Sequence, residues 1–332
     1  MKAAAASFLG LATLVVACRG ALTDTDPIVR RAALPISRDI AQDVPRFSDW
    51  SAPVNLGAPV NSPAIEQGAS ISPDGRSLYF HCAGCPGTAG ADIMVSHRDK
   101  IGDPWGPPQN LGSVINTAAN EMAPFISPDG RHLYFSSNRP GGFGGLDLWV
   151  SVRKDKHDDF AWEPPVNLGP GVNTAADEAQ ASVFLSGDGD DGDSDVSRTI
   201  VLYFSRGPNG GTNLFQSIAP YDGSFGSASP IAELNTSNIE RQPGVRRDGL
   251  ELFFASDRPG TYGALDLWVT TRSTTQDPWG TPVNLGPVVN STDIDARPTL
   301  SKDATQLYFQ SPRPGGLGMF DLYVATRRRL DD

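Results

Sequence analysis

Beyond its first 18 residues the sequence has no sustained apolar period of 3.6 residues and no apolar run long enough to cross a bilayer. The first absence excludes a helical protein, and the second excludes a helical membrane span in the body of the chain. Basic residues are also short: 27 Lys and Arg stand against 38 Asp and Glu, a net charge of −11. Nucleic-acid affinity rests on clustered cations, so a phosphate-binding surface for nucleic acid is not expected. Catalytic spellings are missing too, with no Gly-x-Ser-x-Gly, no His-Glu-x-x-His and no phosphate loop. What the chain does have is 35 Gly and 28 Pro, which suit short strands joined by tight turns.

Those residues fall in a repeat. Leu-Tyr-Phe or Leu-Phe-Phe occurs five times, at Leu78, Leu133, Leu202, Leu252 and Leu307. Trp-x-x-Pro-x-Asn-Leu-Gly starts at Trp50, Trp105, Trp162 and Trp279, with a degraded copy near Phe225. A recurrence at roughly 50 to 60 residues indicates a repeat architecture. Each unit reads as four strands. In the second, "APFIS" leads through Pro-Asp-Gly to "RHLYFSS", then through "NRPGGFGG" to "LDLWVSV" and on to "WEPPVNLG". Proline cannot donate to a ladder, which confines the last segment to a sheet edge.

Four antiparallel strands per repeat make the blade of a β-propeller. The reading is all-β, with five blades over residues 47–327. The fourth-strand phrase at Trp50 precedes any complete unit, and the fifth unit ends near Arg327 without one, so the Trp50 strand completes the last blade. That closure removes exposed sheet edges.

The stretch "NEMAPFISPDGRHLYFSSNRPGGFGGLDLWV", Asn120 to Val150, with its relatives at Asp257–Val269 and Pro312–Val324, resembles the WD-repeat-like propeller repeat of exported bacterial proteins, including the propeller of TolB. The resemblance implies the fold and a TolB-like binding role. A TolB propeller has six blades and an extra domain, so the likeness stops short of that role in full.

Strand alternation puts the Pro-Asp-Gly hairpins on one face of the ring. The fourth-to-first connectors and the Gly-rich loops lie on the other. There one acid precedes each first strand: Glu66, Glu121, Glu178, Glu240 and Asp295. Arg139, Arg258 and Arg313 open the Gly-rich loops, Arg206 is a displaced counterpart, and Gly84 stands in the first blade. This rim reads either as a polar ligand site or as five equivalent structural caps, and the periodicity favours caps. The loop tips Phe143, Tyr262 and Leu317 vary between copies, as a protein contact surface would. The six tryptophans all have places in the repeat, so none is left over as a sugar-stacking platform. Asp92, Asp147, Asp266 and Asp321, with Asn213, cap turns. Arg327 to Arg329 reads as a solvated end and residues 328–332 as a tail.

Three segments lie outside the repeat. Residues 1–17 read as a signal peptide; Val15-Val16-Ala17-Cys18 resembles the bacterial lipobox, which implies a lipidated Cys18. Residues 18–46 then form a flexible tether. The expected location is the periplasm or cell surface, on the outer membrane, with the lipid as the membrane contact. "SGDGDDGDSDVS" places Asp188, Asp190, Asp191, Asp193 and Asp195 in the third hairpin. They offer oxygens to calcium, but no EF-hand is completed, and a disordered acidic loop is the plainer reading. Cys82 and Cys85 read as a small-loop disulfide in an oxidising compartment; zinc would need a fourth ligand beyond His81.

These features predict a monomeric, non-catalytic envelope lipoprotein binding an envelope protein or cell-wall polymer, with no cofactor apart from that calcium. The alternative is a five-bladed glycoside hydrolase or a lectin-like carbohydrate-binding propeller, in which non-equivalent carboxylates would sit in different blades.

Overall fold

The computed structural model describes residues 46–186, 198–221 and 223–330. Cys18, the leader, most of the tether and Asp188 to Asp195 lie outside the described residues. The rest is all-β, five four-stranded antiparallel sheets.

Blade one comprises Ile65–Ile71, Ser77–Ala83, Ala91–His97 and Gln109–Asn110; blade two comprises Glu121–Ile126, His132–Ser137, Asp147–Val152 and Val166–Asn167. Blade three, the longest, runs Asp177–Ser186, Thr199–Gly207, Asn213–Pro220 and Ser229–Pro230. Blade four is Glu240–Val245, Glu251–Ser256, Asp266–Thr271 and Val283–Asn284. Blade five takes Ala296–Leu300, Gln306–Ser311 and Asp321–Thr326 from the C-terminal end and Val54–Asn55 from the start of the ring. Val54 pairs with Val324 and Asn55 with Tyr323. The fourth strands are only two residues long, because the prolines around them supply no donors.

Closure extends past the expected end of the ring. The Ser48 amide donates to Arg328 and the Leu330 amide to Arg46, at 2.9 and 2.8 Å. Arg327 is buried and ion-paired with Glu251 at 2.6 Å, so it is not part of a solvated end.

The hydrophobic core is divided into five wedges, one between each pair of neighbouring blades. This explains the Leu-Tyr-Phe repeat. The second strand is central in its sheet, and both its faces are covered by adjacent blades. Leu78, Tyr79 and Phe80 are all fully buried, as are Leu202, Tyr203 and Phe204.

Every first strand carries a bulge two residues after its rim acid, where the register slips. The residues there are Gly68, Ala123, Gln180, Gln242 and Arg297, with φ between +51° and +64°. The bulge frees an amide that the preceding blade accepts. Ala123 donates to His81 Nδ1, Gln180 to Ser136 Oγ, Gln242 to Ser205 Oγ and Gly68 to Gln310 Oε1, at 2.6–3.2 Å. The matching residue ahead of Arg297 is Ala255, which has no side-chain acceptor.

Glycine in the long loops is required by close approach. A Cβ on Gly263 would lie 1.9 Å from the Asp293 carbonyl oxygen, and one on Gly318 would lie 2.1 Å from that of Ala64. These loops pack directly on the connector of the next blade.

Candidate functional site

The rim acids gather on one face, and all five are fully buried. Each closes its own connector. Thr117, Thr174, Thr236, Ser62 and Ser291 donate both amide and hydroxyl to Glu121, Glu178, Glu240, Glu66 and Asp295, at 2.5–3.1 Å. Arginines complete the caps. Arg139, Arg206, Arg258 and Arg313 pair with Glu121, Glu178, Glu240 and Asp295 at 3.2, 2.8, 3.1 and 2.5 Å. They also donate to the carbonyls of Ile115, Val172, Leu234 and Val289. Arg139 and Arg258 lie over Phe135 and Phe254, and Arg313 over Phe309, within 5.2 Å. Charge, carbonyl and ring together hold each guanidinium inside its own blade.

Arg206 is displaced by two residues, as its spelling indicates. It stands directly across the ladder from Glu178, where blades two and four have Ser137 and Ser256 across from their acids. From there it still reaches its own acid. Blade one differs chemically. Cys82 and Cys85 form a disulfide with a Cα separation of 5.8 Å, and the sulfurs lie 3.7 and 3.6 Å from Glu66 Oε1. Glu66, Cys82 and Cys85 are close enough together to ligate an ion, but sulfurs bonded to one another are not thiolate ligands. Burial raises the Glu66 pKa above its ordinary 4.5 against the opposing hydrogen bonds of Ser62. The Glu178 pKa is raised by the same cause, despite Thr174 and Arg206. Phe143, Tyr262 and Leu317 are each about half exposed on this side.

Inside this rim the blades stop being equivalent. One residue beyond the acid, the first strands carry Gln67, Met122, Ala179, Arg241 and Ala296; at the bulge they carry Gly68, Ala123, Gln180, Gln242 and Arg297. Arg297 Nη1 donates to Gln180 Oε1 at 3.1 Å. Blades five and three are not neighbours in the ring, so this bond crosses the central channel. Asp257 is exposed, and its charge acts on Arg241. Burial first, and then Arg297, hold the His81 pKa well below its ordinary value.

The hairpin face holds two open clefts. One of about 480 Å³ is lined by Asp74, Asp129, Arg131, Lys156, Arg198 and Arg247 among others; the second, about 460 Å³, lies beside Arg98 and Lys302. Sequence reasoning missed the larger cleft because its cations come from different positions in different blades. Burial pushes the Asp129 pKa up, but bonds from His132, Ser127 and Tyr221 outweigh it and hold that carboxyl well below the usual range. On this face Ser77, His97 and Asp159 meet without forming a nucleophile relay. Ser77 donates straight to Asp159 at 2.6 Å, and the same His97 nitrogen faces both, at 3.2 and 3.1 Å.

No protein-family profile and no curated protein matches the sequence. Solved structures do match. Glycoside hydrolases share this fold. A GH62 hydrolase bound to xylotriose superposes with a TM-score of 0.58 at 12% identity, covering 87% of this chain and 100% of its own. An α-L-arabinofuranosidase from Podospora anserina bound to cellotriose gives 0.57 at 13%, covering 86% and 99%. A GH43 enzyme from Xanthomonas citri bound to xylotriose gives 0.53 at 12%, covering 83% and 89%. A TolB-type protein from Agrobacterium tumefaciens reaches only 0.43, at 15% identity over 80% and 78%, too distant a superposition to carry an argument.

The expectation of a non-catalytic scaffold is therefore corrected. The rings that superpose along most of this chain are sugar-cleaving enzymes. The expectation failed for a physical reason. Similarity between the repeats measures the residues that build a blade and says nothing of the channel wall, where the copies diverge.

Proposed function

We propose that this chain is a carbohydrate-active propeller of the glycoside-hydrolase kind, taking a glycan at the channel inside the acid rim. The observation that carries this reading is the non-equivalence of the channel wall. Gln67, Gln180, Gln242, Arg241 and Arg297 present amides and guanidiniums where a purely structural repeat would present five like residues. Such groups orient sugar hydroxyls. The matching enzymes, with sugars bound, support the same reading.

Hydrolysis needs two carboxyl groups in unlike environments. Among the described residues Glu66 is the rim acid with no guanidinium partner, and burial raises its pKa, the condition of a proton donor. Asp257, exposed beside Arg241, is its proposed counterpart. The exported, lipid-tethered character expected from residues 1–46 makes an envelope or extracellular polymer the natural substrate.

The test is glycan-array binding followed by a reducing-end hydrolysis assay on the glycans retained. Turnover that falls at least about a hundredfold in Glu66→Gln or Asp257→Asn, with binding kept, supports the proposal. Absence of both binding and turnover across neutral and acidic glycans overturns it. Because Glu66 is fully buried, unchanged turnover in Glu66→Gln would remove it as the donor while leaving the glycan reading in place.

A further inference from the structure

The rim arginines each have an acid at ion-pair distance, whereas among the described residues the two arginines in the channel have none that close, Asp257 acting on Arg241 only through its charge. Among the described residues neither Arg241 nor Arg297 belongs to an ion pair. Their Nε atoms are buried and lack a hydrogen-bond partner, and so is Oε1 of Gln242. Burial is the first cause that lowers the Arg297 pKa, to about 10, and the second is the charge of Arg241. Among the described residues two guanidiniums thus share one polar channel with no carboxylate in ion-pair contact with either, an arrangement that costs stability unless something binds there.

The backbone adds to this. Gln180, Gln242 and Arg297 occupy the left-handed bulge position at φ +55°, +61° and +56°. Gly68 fills the same position in blade one without strain. Long polar side chains at a strained position point to a role in what they present: Arg297 and Gln180 meet across the channel, and the Gln242 Oε1 is buried there without a partner.

We infer that the channel binds the carboxylate of an acidic sugar, clamped between Arg241 and Arg297 with the Gln180 and Gln242 amides beside it for ring hydroxyls. A guanidinium fork matches a carboxylate in two parallel bonds. Arginine alone would equally take phosphate; the neighbouring amides favour a ligand that is also polyhydroxylated. This inference rests on the carbohydrate reading above and narrows it to uronate-bearing glycans.

The experiment is calorimetric titration of the full chain with a hexuronate trisaccharide, a neutral hexose trisaccharide of the same linkage, and inorganic phosphate. The uronate should bind at least about tenfold tighter than the neutral sugar. Arg241→Gln and Arg297→Gln should each remove that advantage while keeping or raising the melting temperature. Competition of uronate by phosphate in the unsubstituted protein gives the same answer without a substitution. Equal affinity for the two trisaccharides, or a preference untouched by both substitutions, overturns the inference. Phosphate bound as tightly as uronate overturns the sugar-acid assignment in favour of a free-anion site. Neutral glycan turned over with no uronate preference sinks this inference alone; phosphate binding with no saccharide binding of either kind sinks the carbohydrate reading as well.

Discussion

Arg327 lies 4.4 Å from the centre of the Trp50 ring and 3.7 Å from that of Phe47, so the last guanidinium of the ring rests on its first aromatics. It also donates to both Glu251 oxygens in blade four, at 2.9 and 2.6 Å. The same clamp recurs within the ring. Arg98, Arg153 and Arg272 lie over Trp105, Trp162 and Trp279 at 4.2–4.5 Å, each with its Nε on a hairpin carbonyl. At Arg327 the clamp has a further task, because its aromatic comes from the opposite end of the fold.

Trp50→Ala should therefore destabilise the ring by about 3 kcal/mol through lost packing and cation–π contact. Urea unfolding measures it. Phe143→Ala, at an exposed loop tip, serves as the control and should stay within about 0.5 kcal/mol.

The rim pair of Arg258 and Glu240 predicts non-additivity. Arg258→Met leaves a fully buried carboxylate unpaired and should cost about 3 kcal/mol. The double change with Glu240→Gln should cost less than the two single changes together. Additive losses would show that the pair is not coupled.

Reduction should loosen blade one selectively. Replacing Cys82 and Cys85 by serine removes a short cross-link, worth about 2 kcal/mol by loop-closure entropy. Hydrogen exchange should speed up around residues 62–66, where the sulfurs face Glu66, and change little in blade three.

Stability should depend on pH from two sides. The Glu66 and Glu178 pKa values are raised above 4.5 in the fold, so the unfolded chain ionises first as pH climbs. Their contribution is greatest below 4.5 and declines as pH rises through the raised values. The Asp129 pKa is lowered from 3.8, so its contribution is full above that value and is lost as pH falls toward the folded pKa. Melting temperatures from pH 3 to 8 check both: Glu66→Gln should flatten the decline on the higher side, and Asp129→Asn should remove part of the acid-side loss.

Blade number, strand order and closure through Trp50 were legible because each blade repeats its own local chemistry. Leu-Tyr-Phe marks the central strand, Pro-Asp-Gly the hairpin and Pro-x-Asn-Leu-Gly the edge. The displacement of Arg206 was legible in the spelling, but its pairing with Glu178 was not, because that depends on the register across the ladder. The tryptophans were read as packing residues, but the arginines above them were overlooked although Arg98, Arg153, Arg272 and Arg327 recur at one place in the repeat; only the pairing of Arg327 with Trp50 lies beyond a local pattern.

By itself the sequence determined the ring, because alternation, turn residues and edge prolines act within a window of one repeat. Tertiary structure alone decided what the ring encloses. Arg297 and Gln180 are 117 residues apart, and Arg241 gains its like-charged neighbour only when blades four and five converge on the axis. No local pattern encodes such a meeting, since it depends on side chains in which the repeats differ and on a closure that brings five inner strands around one channel.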